Sequence, residues 1–298
     1  MSAVIETDRL TKSYGEVLGI EDVSMSVRAG EVFGFLGPNG AGKTTTIRVL
    51  LDLLHPTSGS ARLFGLDSRR DSLAIRARVG NLPGDFSYEP RMTGRELVSF
   101  LAEVRGVRGL GRASELADRF EADLERPLGE LSRGNRQKIG LIQALFHGPE
   151  LLILDEPTSG LDPLMQEVFL HLVHEERGRG TSVFLSSHEL HEVQRICDRV
   201  GIIRRGGLVA VEDVAELTTR AYRHVSLEFA TPVDDSEFRR LPGVSELVAA
   251  GNRVSFKMEG DLDAVVKAAA RHAVRDIEVV RPTLEEIFLT YYGRDDAR

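Results

Sequence analysis

Only one cysteine, Cys197, occurs in the 298 residues, which excludes an internal disulfide. It falls in a helical pattern from His188 to Val200, where packing rather than chemistry is the expected role. No apolar run approaches the ~18 residues needed to cross a bilayer. The N-terminal MSAVIETDRL lacks the basic and apolar regions of a secretory signal, so a cytosolic location is expected. Any membrane role must then come through a partner. A basic excess is also missing: the net charge of −8 argues against broad nucleic-acid binding. What is present is a hydrophobic fraction of 42% and a length sufficient for two domains with real cores.

Strand and helix patterns alternate over the first two thirds of the chain. Ile5 to Tyr14, Glu21 to Arg28, Glu31 to Leu36, Ala61 to Gly65, Arg78 to Leu82, Leu151 to Pro157 and Thr181 to His188 read as strands. Helical periodicity covers Lys43 to Leu54, Thr93 to about Ala122, Leu164 to Arg177 and Glu189 to Cys197. Val200 to Asp213 reads as a hairpin turning at Gly206-Gly207. The pattern predicts an α/β core with a largely parallel sheet, interrupted by a helical insertion over about 85–150. In that insertion Leu97, Phe100, Leu101 and Val104 are expected on one buried face. From about Arg220 a β-α-β-β-α-β plan with a last helix, PTLEEIFLTYYG, predicts a small α+β domain. The expected domains are therefore 1–219 and 220–298.

GPNGAGKTT carries the strongest chemical signal. Gly37, Gly42, Lys43 and Thr44 fit G-x-x-x-x-G-K-[ST] between a buried strand and a helix. Glycines let the backbone N–H groups of Gly37, Pro38, Asn39, Gly40, Ala41, Gly42, Lys43, Thr44 and Thr45 that carry them turn toward phosphate oxygens, at a helix N-terminus that favours anions. Lys43 supplies a point charge for the β/γ-phosphates, and the Thr44 hydroxyl a ligand for Mg²⁺. LLILDEP is an apolar strand ending in two acids. Asp155 is placed to hold Mg²⁺ through a water and Glu156 to act as general base.

In this setting LSRGNRQKIGL, Leu131 to Leu141, resembles the signature of the ATP-binding subunits of ABC transporters, and the likeness extends over nearly the whole chain. The resemblance implies a P-loop NTPase (RecA-like) core with a helical subdomain, and MgATP hydrolysis between two head-to-tail copies. By the same resemblance Ser132 and Gly134 contact the γ-phosphate held by the opposite copy, and Asp162 of SGLDP lies at the dimer interface. His188 of LSSHEL reaches the γ-phosphate, and Tyr14 stacks on adenine. The C-terminal RPTLEEIFLTYYG resembles subunits of type-2 exporters, including antibiotic-resistance members, which serve a separate transmembrane permease. The protein is then expected to be peripheral at the inner face of the membrane.

Two departures from the family pattern stand out. Gly84 in VGNLPGD occupies the place where the family usually carries a Gln that touches Mg²⁺ and the permease. Asp85 substitutes for it, or water fills the place, or coupling is altered; restoring Gln is expected to raise activity. Arg133 and Asn135 stand where Gly and Gln are common in the signature. Two other readings compete with the exporter. A soluble ABC-type ATPase of ribosome or DNA is disfavoured by the acidic charge and by the lack of a second ATPase domain. A nucleotide-gated protein that sequesters a drug is disfavoured by Glu156.

Overall fold

The computed structural model describes residues 3–86, 88–220 and 222–280. Its contacts divide the chain into Met1–Glu212 and Asp213–Arg298, ahead of the division at residue 219 that the sequence suggests.

The first unit runs β1 (Ala3–Tyr14), β2 (Val17–Arg28), β3 (Val32–Leu36), α1 (Lys43–Leu50), β4 (Ser58–Leu63), β5 (Leu66–Asp67), α2 (Ser72–Arg78), β6 (Val79–Leu82), α3 (Gly94–Arg105), α4 (Gly111–Arg119), α5 (Arg133–Leu145), β7 (Leu151–Asp155), α6 (Pro163–Gly178), β8 (Ser182–Ser187), α7 (Leu190–Ile196), β9 (Arg199–Arg204) and β10 (Gly207–Asp213). One sheet joins its ten strands in the order β5-β4-β1-β2-β10-β9-β3-β8-β7-β6. Strands β9, β3, β8, β7 and β6 are parallel, and every residue of β3, β7 and β8 is buried. That is why these strands read as unbroken apolar runs: helices cover both of their faces. Phe33, Phe35, Ile153 and Phe184 from these strands pack with Ile47 and Leu50 of α1.

The expected parallel pairing extends to β2 and β10, while the edge of the sheet beyond β2 adds antiparallel strands. β1 pairs antiparallel with β2 and β4, and β4 with β5. The short connections after Tyr14 and Leu63 leave no room for a parallel crossover. The β9–β10 turn also falls one residue earlier than expected, on Arg205 (φ 49) and Gly206 (φ 84), a pair of left-handed residues that suits a two-residue hairpin.

The helical insertion lies between β6 and β7. Thr93 caps α3 with a capping box, its hydroxyl accepting from Glu96 N while the Glu96 carboxylate accepts from Thr93 N. The expected face of α3 is only half covered, with Leu97 buried and Leu101 partly so. Leu97, Val98 and Ala102 are buried, whereas Phe100 is 55% and Val104 67% exposed. Gly94 sets the buried face: a Cβ there would lie 3.1 Å from both Ile139 and Leu124 side-chain carbons, so α3 approaches α5 most closely on the side of Gly94 and Val98. α1 also stops before the expected Leu54. Asp52 takes φ 55, and the N–H groups of Leu53 and Leu54 both turn back to Arg48 O.

The second unit holds α8 (Val214–Arg220), β11 (Arg223–Phe229), α9 (Ser236–Arg239), β12 (Val244–Ala250), β13 (Arg253–Met258), α10 (Asp263–Ala269) and β14 (Val274–Val280). Its sheet has the order β12-β13-β11-β14. Val225, Leu227, Phe229, Phe238, Val254 and Phe256 form a core of its own. The last helix expected from the sequence, with Pro282 near its start, lies outside the described residues. Among the described residues no helix is long and apolar enough to cross a membrane.

Candidate active site

The chemical residues converge because they follow the carboxyl ends of four adjacent parallel strands. Gly37 follows β3, Glu156 follows β7, His188 follows β8, and Gly84 lies just beyond β6. In sheets of this kind the ends of the strands form the crevice where ligands sit.

The Gly37–Thr45 loop leads from β3 into α1. Gly42 is the N-cap residue of α1 at φ 110, and no side chain caps the helix. A Cβ at Gly42 would lie 2.8 Å from Gly19 O and 2.6 Å from Ile20 Cγ2, so this glycine answers to β2 as well as to backbone conformation. An uncapped helix N-terminus preceded by a glycine loop is the donor arrangement a phosphate requires. Lys43 is buried at the head of α1. Its Nζ donates to Gly37 O at 2.6 Å and Pro38 O at 3.3 Å, and lies 3.1 Å from Glu156 Oε1. That last contact is an ion pair rather than an aligned hydrogen bond, since Oε1 has no hydrogen-bond partner.

Asp155 and Glu156 occupy different environments despite being neighbours. Asp155 is buried at the end of β7; its Oδ2 accepts from Thr44 Oγ1 at 2.7 Å and its Oδ1 from Ser186 Oγ at 2.5 Å. Glu156 turns out of the strand at φ 52, a left-handed conformation that costs a residue with a side chain of order 1–3 kcal/mol. Its backbone N–H donates to Ser186 Oγ at 3.0 Å. Its carboxylate reaches back over the loop, with Oε2 2.5 Å from His188 Nδ1. Glu156, His188 and Lys43 thus form one cluster. Behind it, burial raises the pKa of Glu192, whose Oε2 accepts from Ser187 Oγ at 3.0 Å. Cys197 is buried in the core, and burial pushes its thiol well up, as packing alone would have it.

Tyr14 is 45% exposed, so it is not a core aromatic. Its ring lies over Gly19, and its hydroxyl is 3.5 Å from Thr45 Oγ1 in the first turn of α1.

Ser132, Gly134 and Asp162 are not brought to the Gly37–Thr45 loop. Ser132 caps α5 by accepting from Asn135 N at 3.3 Å. A Cβ at Gly134 would lie 2.4 Å from Gly160 O, so the start of α5 rests directly on the SGLDP loop. Arg133 donates to Ser159 Oγ at 2.8 Å in the same loop. Asp162 caps α6, accepting from Met165 N at 3.0 Å, with Pro163 in the first turn.

Gly84 borders the acids. A Cβ there would lie 2.8 Å from Asp155 Oδ2, closer than side-chain carbons normally come. A side chain at this position would have to displace the Asp155 carboxylate, which Thr44 and Ser186 hold from both sides, and this weighs against a gain of activity on restoring glutamine. We expect Gly84→Gln to lower ATP hydrolysis by about 10-fold and to raise the Mg²⁺ concentration required, as loss of a group that orients a metal ligand does. Asp85 is exposed, and Asp85→Ala is expected to leave both quantities unchanged. A Mg²⁺ titration of the hydrolysis rate reads both.

Two site residues lie inside the quoted motifs but receive no role in the sequence reading: Ser186 of LSSHEL, whose hydroxyl lies between both acids, and Gln137 of LSRGNRQKIGL, in α5, which donates to Glu156 O and Pro157 O. The signal for Gln137 was present, since this polar residue lies four positions before Leu141, on the same helix face as that core position. A cavity of about 600 Å³ lies at the opposite end of the sheet, beside Phe64, Pro149 and Thr181. Its charges are already paired, Arg78 with Glu150 and both Arg112 and Arg179 with Glu176.

A family model described as ABC transporter matches residues 20–159, and one described as ATP-binding protein DrrA1-3-like, C-terminal domain, matches residues 215–292. The chain is similar to the bacitracin transport ATP-binding protein BcrA of Bacillus licheniformis, 36% identical over 77% of this chain and 76% of that one. It is 28% identical to the linearmycin resistance ATP-binding protein LnrL of Bacillus subtilis (strain 168), over 98% of this chain and 99% of the other. A solved structure of an ATP binding subunit of an ABC transporter matches with a TM-score of 0.66 and 29% identity, over 72% of this chain and 91% of that chain. Likeness of this extent in both sequence and fold means shared descent, and the chain belongs to the ATP-binding subunits of ABC transporters.

Proposed function

We propose that this subunit hydrolyses MgATP between two head-to-tail copies of itself and thereby drives a separate export permease in the membrane, from its cytoplasmic face. The carrying observation is the Glu156 carboxylate, set between Lys43 and His188 at the edge of the glycine loop.

In this reading the N–H groups at the start of α1 and the Lys43 ammonium bind the phosphates, and Tyr14 stacks on adenine, an interaction of about 1–3 kcal/mol by analogy with other base–aromatic contacts. Glu156 takes a proton from the attacking water as the bond between the β- and γ-phosphates breaks. His188 orients that carboxylate and faces the γ-phosphate. The Thr44 hydroxyl and the Asp155 carboxylate, two oxygens 2.7 Å apart, are a donor set that suits Mg²⁺. The ion would be held by these two, phosphate oxygens and water, and would neutralise phosphate charge. Arg133 and Gly134 turn to the SGLDP loop of their own chain, and in this reading the start of α5 at Ser132 serves the nucleotide of the second copy.

Coupling to the permease is supported by a groove of about 360 Å³ between the end of β6 and α3. Leu51, Leu53, Leu97, Leu101 and Tyr88 line it, with Asp85 at its rim. Phe100 and Val104 stand exposed on the same helix as Leu97 and Leu101. Exposed apolar surface around a groove of this kind marks a protein contact. That the relatives named above act in bacitracin transport and linearmycin resistance supports export of a drug-like compound here.

The test is co-purification of membrane proteins with this chain from detergent-solubilised membranes of cells that express it, followed by ATPase assay in vesicles. The expected result is a stable complex whose hydrolysis exceeds that of the subunit alone. A subunit that neither retains a membrane partner nor hydrolyses ATP would overturn the proposal. Retention of ribosomes or DNA instead would favour the soluble ATPase.

A further inference from the structure

Glu156 is held from every side, and one of its holds comes from the signature helix. The left-handed backbone of Glu156 is disfavoured for a residue with a side chain, and the following Pro157 disfavours the right-handed helical alternative. Such a conformation persists where its surroundings determine it. The Glu156 N–H is fixed by Ser186 Oγ on β8. On the carbonyl side, Gln137 Nε2 donates to Glu156 O at 3.1 Å and to Pro157 O at 3.0 Å. Both amide protons are thereby used, in a place where Gln137 is 9% exposed and water has little access.

Gln137 lies one helical turn beyond Arg133 and close to Gly134 on α5. Arg133 bonds Ser159, and Gly134 rests on the carbonyl of Gly160. The three contacts follow one another along a single segment, 156–160, so α5 clasps the whole stretch from the base to the SGLDP loop. A displacement of α5 therefore reaches the Glu156 peptide through two hydrogen bonds rather than through general packing.

We propose that Gln137 is a positioning residue for Glu156: it fixes the peptide that aims the carboxylate, and it ties that aim to the helix whose first turn carries Ser132. This rests on the reading of Glu156 as the base. In this reading Gln137 acts through the Glu156 and Pro157 carbonyls to which it donates. Loss of its donors should leave ATP binding in place and misdirect the base.

The experiment uses the full chain, with Gln137→Met, which keeps length and removes the donors. The expected result is a kcat lower by about 10–100-fold, the scale of a misplacement of a reacting group by an ångström or less, with KM for ATP within about twofold of the wild type. The second measurement is single-turnover phosphate release from Gln137→Met, Glu156→Gln and the double variant. If Gln137 acts through Glu156, the double variant releases phosphate no more slowly than Glu156→Gln alone. Should Gln137→Met not fold, Gln137→Glu, which keeps size and polarity and loses the donors, is subject to the same criteria. A wild-type kcat, a rise in KM matching the fall in kcat, or multiplicative losses in the double variant would each overturn the proposal. A full rate in Glu156→Gln alone would instead remove the base reading itself, a separate outcome.

Discussion

Glu156→Gln is expected to slow ATP hydrolysis by about 10²–10⁴-fold, the usual weight of a general base, while ATP still binds. The amide matches the carboxylate in shape but has almost no affinity for a proton, so the attacking water loses its acceptor. Binding survives because the phosphates are held by α1 and Lys43, which the substitution leaves in place. It even frees Lys43 from its opposite charge 3.1 Å away. The variant should therefore accumulate an ATP-bound dimer, seen as a doubled mass by light scattering in MgATP. A variant that hydrolyses at the normal rate and remains monomeric in ATP would remove Glu156 from this role.

The second large effect is expected on binding. Lys43→Ala should weaken MgATP affinity by about 2–5 kcal/mol, the scale for removing one partner of a buried charge pair. At 5% exposure the ammonium would meet the phosphates of the proposed site with little water between, which makes its charge count. The substitution also leaves Glu156 Oε1 without its cation and two loop carbonyls without their donor. Isothermal titration with MgATP measures the affinity; thermal unfolding without nucleotide separates the loss of phosphate contact from any loss of stability. Wild-type affinity would mean that this loop does not hold phosphate.

How much of this was legible in the sequence depended on whether a local pattern or a contact between distant segments set the feature. The loop at Gly37–Thr45 and the acids after LLIL could be read because each is a short run at the end of a buried strand, and burial shows in the residues themselves. The caps at Thr93 and Ser132 are equally local. The orientation of α3 was not legible. Leu97, Phe100, Leu101 and Val104 make as good an apolar stripe as any, and only the close approach of Gly94 to Ile139 and Leu124 decides which way the helix turns. The setting of Gly84 was not legible for the same reason. The residue that a side chain there would have to displace, Asp155, is 71 positions away in the chain (155 − 84), on the neighbouring strand of the sheet. The antiparallel edge of the sheet follows from connection lengths that the motif reading did not weigh.

The Ser186 hydroxyl has a consequence for how this site can vary. It donates to Asp155 Oδ1 and accepts from Glu156 N, so a single rotatable O–H group lies between the acid suited to a metal and the acid suited to water. Its proton is committed to Asp155, which directs its lone pairs toward the Glu156 amide. The two acids therefore share one polarisation: whatever draws charge toward Asp155 also changes how firmly the Glu156 peptide is gripped. Ion affinity and the aim of the base are then not two independent traits of this site, and a change on β8 inherits both at once.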